Sequence, residues 1–391
     1  MSKPLGFEKP LGMRDILPDL LEKQRWLEKR VKACMKQWGY QEISTPTLEY
    51  YDTVGEASAT LDNRLFKLLD SEGKTVVLRP DMTAPIARVA SSLLKEEPLP
   101  LRLMYSANVF RAQRNEAGRN AEFTQLGIEY IGSASVDADA EAIALAVSVL
   151  KAAGVKVFKI AVGHIGFLEG LLEEIVQRME DRERLKEFLY HRDYVGFRHY
   201  VQGLHLSREN AARLYELLKL RGGKELIDRA ESITVNGQAR KAVTNLRQLW
   251  EALEAYQVEK YVLLDLNLLR NLDYYTGILF EGYAANQGFA ICTGGRYDGL
   301  MARFGRPCPA TGFAVQMDSL LEAVDYQPEQ PSKFLILYSA EQRMEALERA
   351  RKLREENSAV VIAQRKEELA ALDFSQYAEV IDLTEEEASW R

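Results

Sequence analysis

Two adjacent tyrosines stand within Arg270–Glu281, a stretch whose residue types could bind a ligand. Tyr274 and Tyr275 each offer a flat ring and a hydroxyl, which suit a planar polar ligand. Arg270 adds a permanent cation, and Gly277 lets the backbone approach a ligand closely. The same residues are also typical of a turn that leads into a strand. From this stretch alone, a pocket wall and a half-buried turn both remain open.

A second candidate site lies on the strand predicted for Ala121–Gly132. Because side chains alternate along a strand, Gln125, Gly127 and Glu129 share one face. A core face would be apolar throughout, and a solvent face would have little use for the central glycine. We therefore expect Gly127 to leave space for a ligand between Gln125 and Glu129. An exposed polar face is the alternative.

Asp81 and Thr83 lie where the predicted strand Thr75–Arg79 passes into a helix. Both residue types cap helices well, so capping is the simpler interpretation and ligand binding is the other. Arg111 ends the predicted strand Leu101–Arg111 and begins a polar loop.

The composition excludes several classes of protein. The chain has 391 residues, 47% of them hydrophobic, a net charge of -7 and a sequence pI of about 5.5. An acidic chain is poorly suited to nucleic acid as a partner. We expect no membrane span and no signal peptide, and hence a cytoplasmic protein. The three scattered cysteines and the four histidines have no metal-ligand spacing, so no metal or other cofactor is expected.

The predicted elements define an α+β protein with an interrupted, largely antiparallel sheet flanked by helices. Residues 1–325 form the main domain, which carries a helical insertion at about 167–258. A proline-containing linker precedes a small α/β domain at 332–391. The core domain is expected to include a helix at Asp19–Trp38, a strand at Tyr40–Glu49 and a hairpin from Ile278–Ala284 to Gly288–Thr293.

The order of these segments resembles the class II aminoacyl-tRNA synthetases, and the similarity to histidyl-tRNA synthetase is close. The segments that carry the resemblance are Pro10–Pro18, the motif 1-like region around Pro46, the motif 2-like Phe110–Glu129, the histidine-specific Leu272–Gly277, and Gly294–Leu300. The resemblance implies a synthetase-like sheet and a pocket for histidine. It also identifies the region around Pro46 as a dimer element.

Carried over residue by residue, the resemblance implies a defined histidine site. Its predicted residues are Asp81, Thr83, Arg111, Gln125, Glu129, Arg270, Tyr274 and Tyr275. Carboxylate and amide acceptors would bind the α-ammonium, while Tyr275 and Glu129 would bracket the imidazole. Either Arg270 or Arg111 would hold the ligand carboxylate.

The departures from the synthetase pattern concern ATP and tRNA. Asp318 and Ser319 stand where motif 3 has glutamate and a phosphate-binding arginine. Loss of such a charged contact to an anion costs about 2–5 kcal/mol. Gln113, Ala121 and Asn271 also depart from the family pattern. The residues after the linker are few and acidic, whereas the synthetase has a larger basic anticodon-binding domain.

The chain keeps the residues of an amino-acid pocket but departs from the synthetase at its ATP and tRNA regions. In this it resembles the regulatory subunits of bacterial ATP phosphoribosyltransferase, a family of histidyl-tRNA synthetase paralogues. The resemblance implies a non-catalytic protein that partners the short-form catalytic subunit at the first step of histidine biosynthesis. It also implies a homodimer core within a hetero-octamer, with histidine as the feedback effector and no catalytic residues. A histidyl-tRNA synthetase with a truncated C-terminus is the alternative.

Overall fold

The computed structural model describes most of the chain. The described residues are 7–58, 60, 62–112, 120–269, 275–285, 287–326, 333–357, 360–366 and 374–386. The chain divides into two compact units, Met1–Asp325 and Tyr326–Arg391. Each unit has a hydrophobic core of its own.

The strands of the first unit belong to one large and one small sheet. In chain order they are β1 (Gln41–Glu42), β2 (Leu48–Tyr50), β3 (Lys67–Leu69), β4 (Thr75–Leu78), β5 (Leu101–Phe110), β6 (Glu122–Ile131), β7 (Phe158–His164), β8 (Arg221–Gly222), β9 (Val262–Asp265), β10 (Ile278–Ala284), β11 (Cys292–Arg296) and β12 (Ala310–Gln316). The large sheet has the order β1-β5-β6-β12-β11-β10-β7-β9-β8, and the small sheet has the order β2-β4-β3. The centre of the large sheet is antiparallel, while the β1–β5 and β7–β9 pairs are parallel.

The helices of the first unit pack on the large sheet and on one another. They are α1 (Pro18–Gln37), α2 (Thr83–Ser91), α3 (Val136–Ala153), α4 (Ile165–Ile175), α5 (Met179–Tyr190), α6 (Tyr194–Gly203), α7 (Arg208–Leu217), α8 (Glu225–Ser232), α9 (Gly237–Ala255), α10 (Leu300–Arg303) and α11 (Met317–Ala323). Helices α4 to α9 occupy the segment in which the sequence predicts a helical insertion. The short strand β8 interrupts this series and pairs with β9.

Helix α3 shows why one face of the sheet is apolar. Its N-cap Ser135 accepts a hydrogen bond from the Asp137 backbone, and Gly154 ends the helix with a φ of 93°. Alanines and aliphatic residues bury it against Ile128 and Phe313 on the sheet. Alternation on β6 therefore sends Gln125 and Glu129 to the opposite face.

Two predicted strands are wrong in their extent. The segment Tyr40–Glu49 is not one strand but contributes β1 and β2 to different sheets. Pro46 lies between them, and a proline has no N–H for a strand ladder. Arg79 stabilises the break, because its guanidinium donates to the Thr45 carbonyl at 2.7 Å.

The second strand of the predicted Ile278–Thr293 hairpin begins later and runs further than expected. It is β11, Cys292–Arg296, and it includes Gly294 and Gly295. A Cβ on Gly294 would lie 2.4 Å from the Gly312 carbonyl oxygen. The glycine pair therefore allows close strand packing and is not part of a loop.

The described residues of the second unit form a parallel sheet and two α-helices. Its elements are β13 (Lys333–Tyr338), α12 (Arg343–Asn357), β14 (Val360–Arg365), β15 (Glu379–Asp382) and α13 (Leu383–Glu386). The strand order is β14-β13-β15. Ile336 and Val361 pack against Ala346 and Ala350 of α12.

Candidate ligand pocket

The open face of the large sheet forms the floor of a cavity of about 590 Å³. The floor crosses five strands, and register places Tyr105, Gly127, Ala314, Thr293 and Glu281 in one row. The three central residues of this row are small. Their size leaves a depression, which is the usual form of a small-molecule site, although the Tyr105 hydroxyl occupies the space above Gly127.

The cavity brings together the predicted site residues that the structure describes. They are Asp81, Thr83, Arg111, Gln125, Glu129 and Tyr275. The turn between β4 and α2 supplies the first two, and Arg111 follows β5. Strand β6 supplies Gln125 and Glu129. The predicted residues Arg270 and Tyr274 lie outside the described residues, so their role stays a prediction.

Glu129 is the most enclosed acid of the cavity, with 2% of its surface exposed. Thr83 Oγ1 donates to Oε1 at 2.8 Å, and the Tyr297 hydroxyl donates to Oε2. Burial raises the pKa of Glu129 to about 8, and the nearby Asp81 carboxylate also raises it, while the two hydroxyl donors oppose the shift. Burial therefore favours the neutral form of the Glu129 carboxyl at higher pH than for an ordinary glutamate.

Asp81 acts as a helix cap and also lines the cavity, so both interpretations of its position, capping and ligand contact, apply together. Its Oδ1 accepts a hydrogen bond from the Ala84 backbone N–H at 3.1 Å, as a capping residue does. Its Oδ2 accepts one from the Ser58 hydroxyl. The same side chain lines the cavity. Capping holds the carboxylate in place, so it does not exclude contact with a ligand.

The space above Gly127 is not left for a ligand as predicted. A Cβ on Gly127 would lie 2.4 Å from the hydroxyl oxygen of Tyr105. The glycine thus makes room for a tyrosine from the neighbouring strand. Tyr105 is buried, lines the cavity and has a pKa held well above its usual value by burial.

Tyr275 and Arg111 form two walls of the cavity. The ring of Tyr275 lies against Gly295, where an added Cβ would come within 2.9 Å of its Cε1 atom. Arg111 donates from Nε to the Pro80 carbonyl at 2.7 Å, and its guanidinium carbon lies 5.4 Å from the centre of the Phe123 ring. Both side chains are half-buried, so each has one side on the cavity.

Tyr297 is a residue of the pocket that the sequence interpretation did not select. It is 3% exposed and binds Glu129 through its hydroxyl. It belongs to the Gly294–Leu300 segment, which the resemblance identified without assigning a role to the tyrosine. The available signal was its place two residues after the paired glycines of β11.

The end of the cavity near α11 has an acidic network. Asp318 and Ser319 line this end together with Asn120. The Asp318 carboxylate accepts hydrogen bonds from the Asn120 amide at 2.8 Å and from the Arg14 guanidinium. An arginine and an amide therefore engage this acid within the protein.

Over the described ranges, no three or more His, Cys, Asp or Glu side chains are grouped so that they could hold a metal ion. In the same part of the chain, no helix is both long and apolar enough to cross a membrane.

Comparison with known proteins gives two matching family models. Residues 12–320 match the model described as histidyl-tRNA synthetase. Residues 335–373 match the model described as histidyl-tRNA synthetase HisZ, C-terminal domain. The first match covers the unit that carries the cavity, and the second falls within the smaller unit.

A curated relative from Halalkalibacterium halodurans is 48% identical over 364 residues, covering 93% of this chain and 92% of the relative. It is named ATP phosphoribosyltransferase regulatory subunit. The chain belongs to the family of ATP phosphoribosyltransferase regulatory subunits. A crystal structure described as an ATP phosphoribosyltransferase regulatory subunit/histidyl-tRNA synthetase from Bacillus halodurans agrees, with a TM-score of 0.90 and 46% identity. It covers 97% of this chain and 99% of that one.

A histidyl-tRNA synthetase structure from Nostoc shows how far the fold extends beyond the family. It is 19% identical, has a TM-score of 0.79 and covers 95% of this chain and 88% of its own. The predicted class II synthetase-like α+β fold is thereby confirmed. The names of the close relatives also confirm the regulatory subunit interpretation over the truncated synthetase.

Proposed function

We propose that this chain binds histidine in the cavity on the large sheet and thereby regulates the catalytic subunit of ATP phosphoribosyltransferase. The observation that carries the proposal is the convergence of Asp81, Gln125 and Glu129 on one cavity that also contains Arg111. An amino acid needs acceptors for its ammonium group and a cation for its carboxylate. These residues supply both.

Each part of histidine has a chemically suitable partner in this arrangement. Asp81 and Gln125 accept hydrogen bonds from the ammonium group, and Arg111 binds the carboxylate. Glu129 and the ring of Tyr275 meet the imidazole. We assign Arg270 and Tyr274 to the same site on the resemblance alone. Arg270 is then the second candidate for the ligand carboxylate.

The opposite end of the cavity supports binding without activation of the amino acid. Asp318, which is engaged by Arg14 and Asn120, lines that end, and Ser319 stands where the synthetase pattern has a phosphate-binding arginine. A triphosphate at this end would lack the planar cationic donor that the synthetase pattern places at the Ser319 position. The proposed protein therefore senses histidine and does not adenylate it.

The proposed partner is the short-form catalytic subunit, which requires this chain for activity. A homodimer of this chain forms the centre of a hetero-octamer in the cytoplasm, and no nucleic acid takes part. Histidine acts as the feedback effector. It must bind two states of the complex with different affinity, because equal affinity would shift neither population. Couplings of this kind are typically about 1–3 kcal/mol.

Calorimetry with histidine tests the site directly. Glu129→Ala is expected to abolish binding while the circular dichroism spectrum remains unchanged. Glu122→Ala is the matched control. Glu122 also lies on β6, but its carboxylate accepts a hydrogen bond of 2.8 Å from the Asn108 amide and does not line the cavity. Equal affinity of Glu129→Ala and the unmodified chain would mean that the site is elsewhere.

Two activity measurements test the role. The chain is expected to raise the activity of a short-form catalytic subunit and to make that activity sensitive to histidine. Absence of both complex formation and activation would contradict the proposed partner.

ATP–pyrophosphate exchange is expected to be absent, and histidine-dependent exchange at synthetase-like rates would overturn the regulatory role.

A further inference from the structure

The carboxyl group of Glu129 is fixed by two hydroxyl groups from different parts of the chain. Thr83 Oγ1 and Tyr297 Oη each donate to a different oxygen of this carboxyl. Gly312 faces it across the β6–β12 pair, and a Cβ there would lie 2.4 Å from Oε2. The carboxyl thus has a defined position, and each oxygen keeps further capacity to accept a hydrogen bond.

Depth within the cavity decides which part of an amino acid reaches Glu129. Glu129 and Tyr297 are almost fully buried, whereas Asp81 and Arg111 are half-buried. The ammonium and carboxylate groups, which all amino acids share, find opposite charges at these two more exposed residues. The side chain of the ligand then extends towards the bottom of the cavity and Glu129.

We propose that Glu129 and the imidazole of bound histidine share a single proton. This proposal rests on the proposed histidine site and specifies how that site recognises the imidazole ring. In one form the Glu129 carboxyl donates O–H to a neutral ring nitrogen. In the other form a ring N–H⁺ donates to the Glu129 carboxylate. The two forms contain the same atoms and total charge and differ only in the position of one proton.

Burial and the charge of Asp81 favour a proton on Glu129. They outweigh the hydrogen bonds from Thr83 and Tyr297, which oppose it. Burial is the main reason that the pKa of Glu129 is raised to about 8, so the free protein carries the proton near neutral pH. Asp81 adds its negative charge from the β4–α2 turn, and Tyr105 faces Glu129 from β5. Because burial holds the pKa of Tyr105 well above its usual value, that hydroxyl stays neutral. Free imidazole has a pKa of about 6.5 and is mostly neutral at this pH.

The affinity for histidine should therefore be almost constant from about pH 6.5, where the free ring titrates, to about pH 8, where Glu129 titrates. Above this range the free protein loses the shared proton, so binding takes one up. Below this range the ring and Glu129 each carry a proton, so binding releases one. On either side the association constant should fall by up to about tenfold for each pH unit.

Titration calorimetry on the full chain tests separately the loss of histidine affinity at alkaline pH and the loss at acid pH. Glu129→Gln cannot ionise, so its affinity should not show the alkaline fall of the unmodified chain. Titration of the ligand ammonium is common to both proteins and cancels in their difference. In 2-fluorohistidine the ring is far less basic but nearly the same size. Its affinity should not show the acid fall.

Calorimetry in buffers with different ionisation enthalpies measures how many protons histidine binding takes up or releases. Histidine binding to the unmodified chain should neither take up nor release protons near neutral pH, and at about pH 9 it should take up close to one proton more than binding to Glu129→Gln does. Release of one proton near neutral pH would mean that Glu129 pairs with the ammonium group, which overturns the inference but leaves the histidine site standing. Absence of histidine binding at every pH would overturn both.

Discussion

Tyr297 donates a hydrogen bond to Oε2 of Glu129 across 168 positions of the chain. Glu129 lies on β6 and Tyr297 directly follows β11, with β12 between these two strands. The residue of β12 that pairs with Glu129 is Gly312. The absence of a side chain at Gly312 leaves room for the carboxyl that Tyr297 holds. This contact links the motif 2-like strand to a segment for which the sequence predicted no role.

Removal of the Tyr297 hydroxyl should weaken histidine binding. In Tyr297→Phe the Glu129 carboxyl loses one of its two hydroxyl donors, and a lost buried hydrogen bond costs about 1–1.5 kcal/mol. The dissociation constant measured by calorimetry should rise about tenfold. Tyr130→Phe is the control, because Tyr130 faces away from the cavity and accepts a hydrogen bond from Arg102 at 3.0 Å. Equal effects of the two variants would contradict a specific role for Tyr297.

Gly312→Ala should displace the Glu129 carboxyl and destabilise the sheet. The new Cβ would lie 2.4 Å from Glu129 Oε2 and 2.3 Å from the Ile128 carbonyl oxygen. Overpacking of this kind costs about 1–3 kcal/mol. We expect a lower midpoint of urea unfolding and loss of histidine binding. Gly299→Ala is the control, since nothing lies within 4 Å of a Cβ there, and a normal affinity of Gly312→Ala would argue against this geometry.

Ser319→Arg should strengthen ATP binding to the chain. The substitution adds a cation to the end of the cavity where Arg14 and Asn120 already engage Asp318. A charged contact to a bound anion is worth about 2–5 kcal/mol, so we expect at least a tenfold gain in affinity for ATP. Ser319→Gln has a long polar side chain without charge and should give no such gain. Equal ATP binding by both variants would show that the missing cation does not limit nucleotide binding.

Glu129→Gln should stabilise the free protein, and more so as the pH rises. An acid whose pKa is higher in the folded than in the unfolded chain holds its proton more tightly when folded. Its contribution to stability is therefore present at low pH and lost as the pH rises from 4.5 to about 8. The difference in unfolding free energy between variant and unmodified chain should grow by roughly 1.4 kcal/mol per pH unit over this range.

Chemical denaturation at several pH values measures this difference. Glu122→Gln serves as the control, because the Glu122 carboxyl lies partly exposed on the same strand and binds the Asn108 amide. A difference that stays constant or shrinks from pH 4.5 to about 8 would show that burial does not raise the pKa of Glu129.

Local patterns were sufficient for most elements and for part of the site. The alternation on β6 correctly assigned Gln125 and Glu129 to one polar face, because a strand has a period of two whatever surrounds it. Helix α3 was predictable from its acidic first turn and from Gly154 at its end. By contrast, local patterns predict a single strand for Tyr40–Glu49. They cannot show that its two halves join different sheets, because the pairing partners of these halves lie far away in sequence.

The sequence by itself determined the α+β class and the polar strand face, because each follows from residue types and local spacing, and its resemblance to the synthetases revealed the departure at Ser319. Only the tertiary structure decided what surrounds them. It placed Tyr105 over Gly127 and brought Tyr297 to Glu129. These contacts depend on strand order and register, which bring together side chains that no local pattern connects. The raised pKa of Glu129 has the same origin, since burial is a property of the folded assembly of strands.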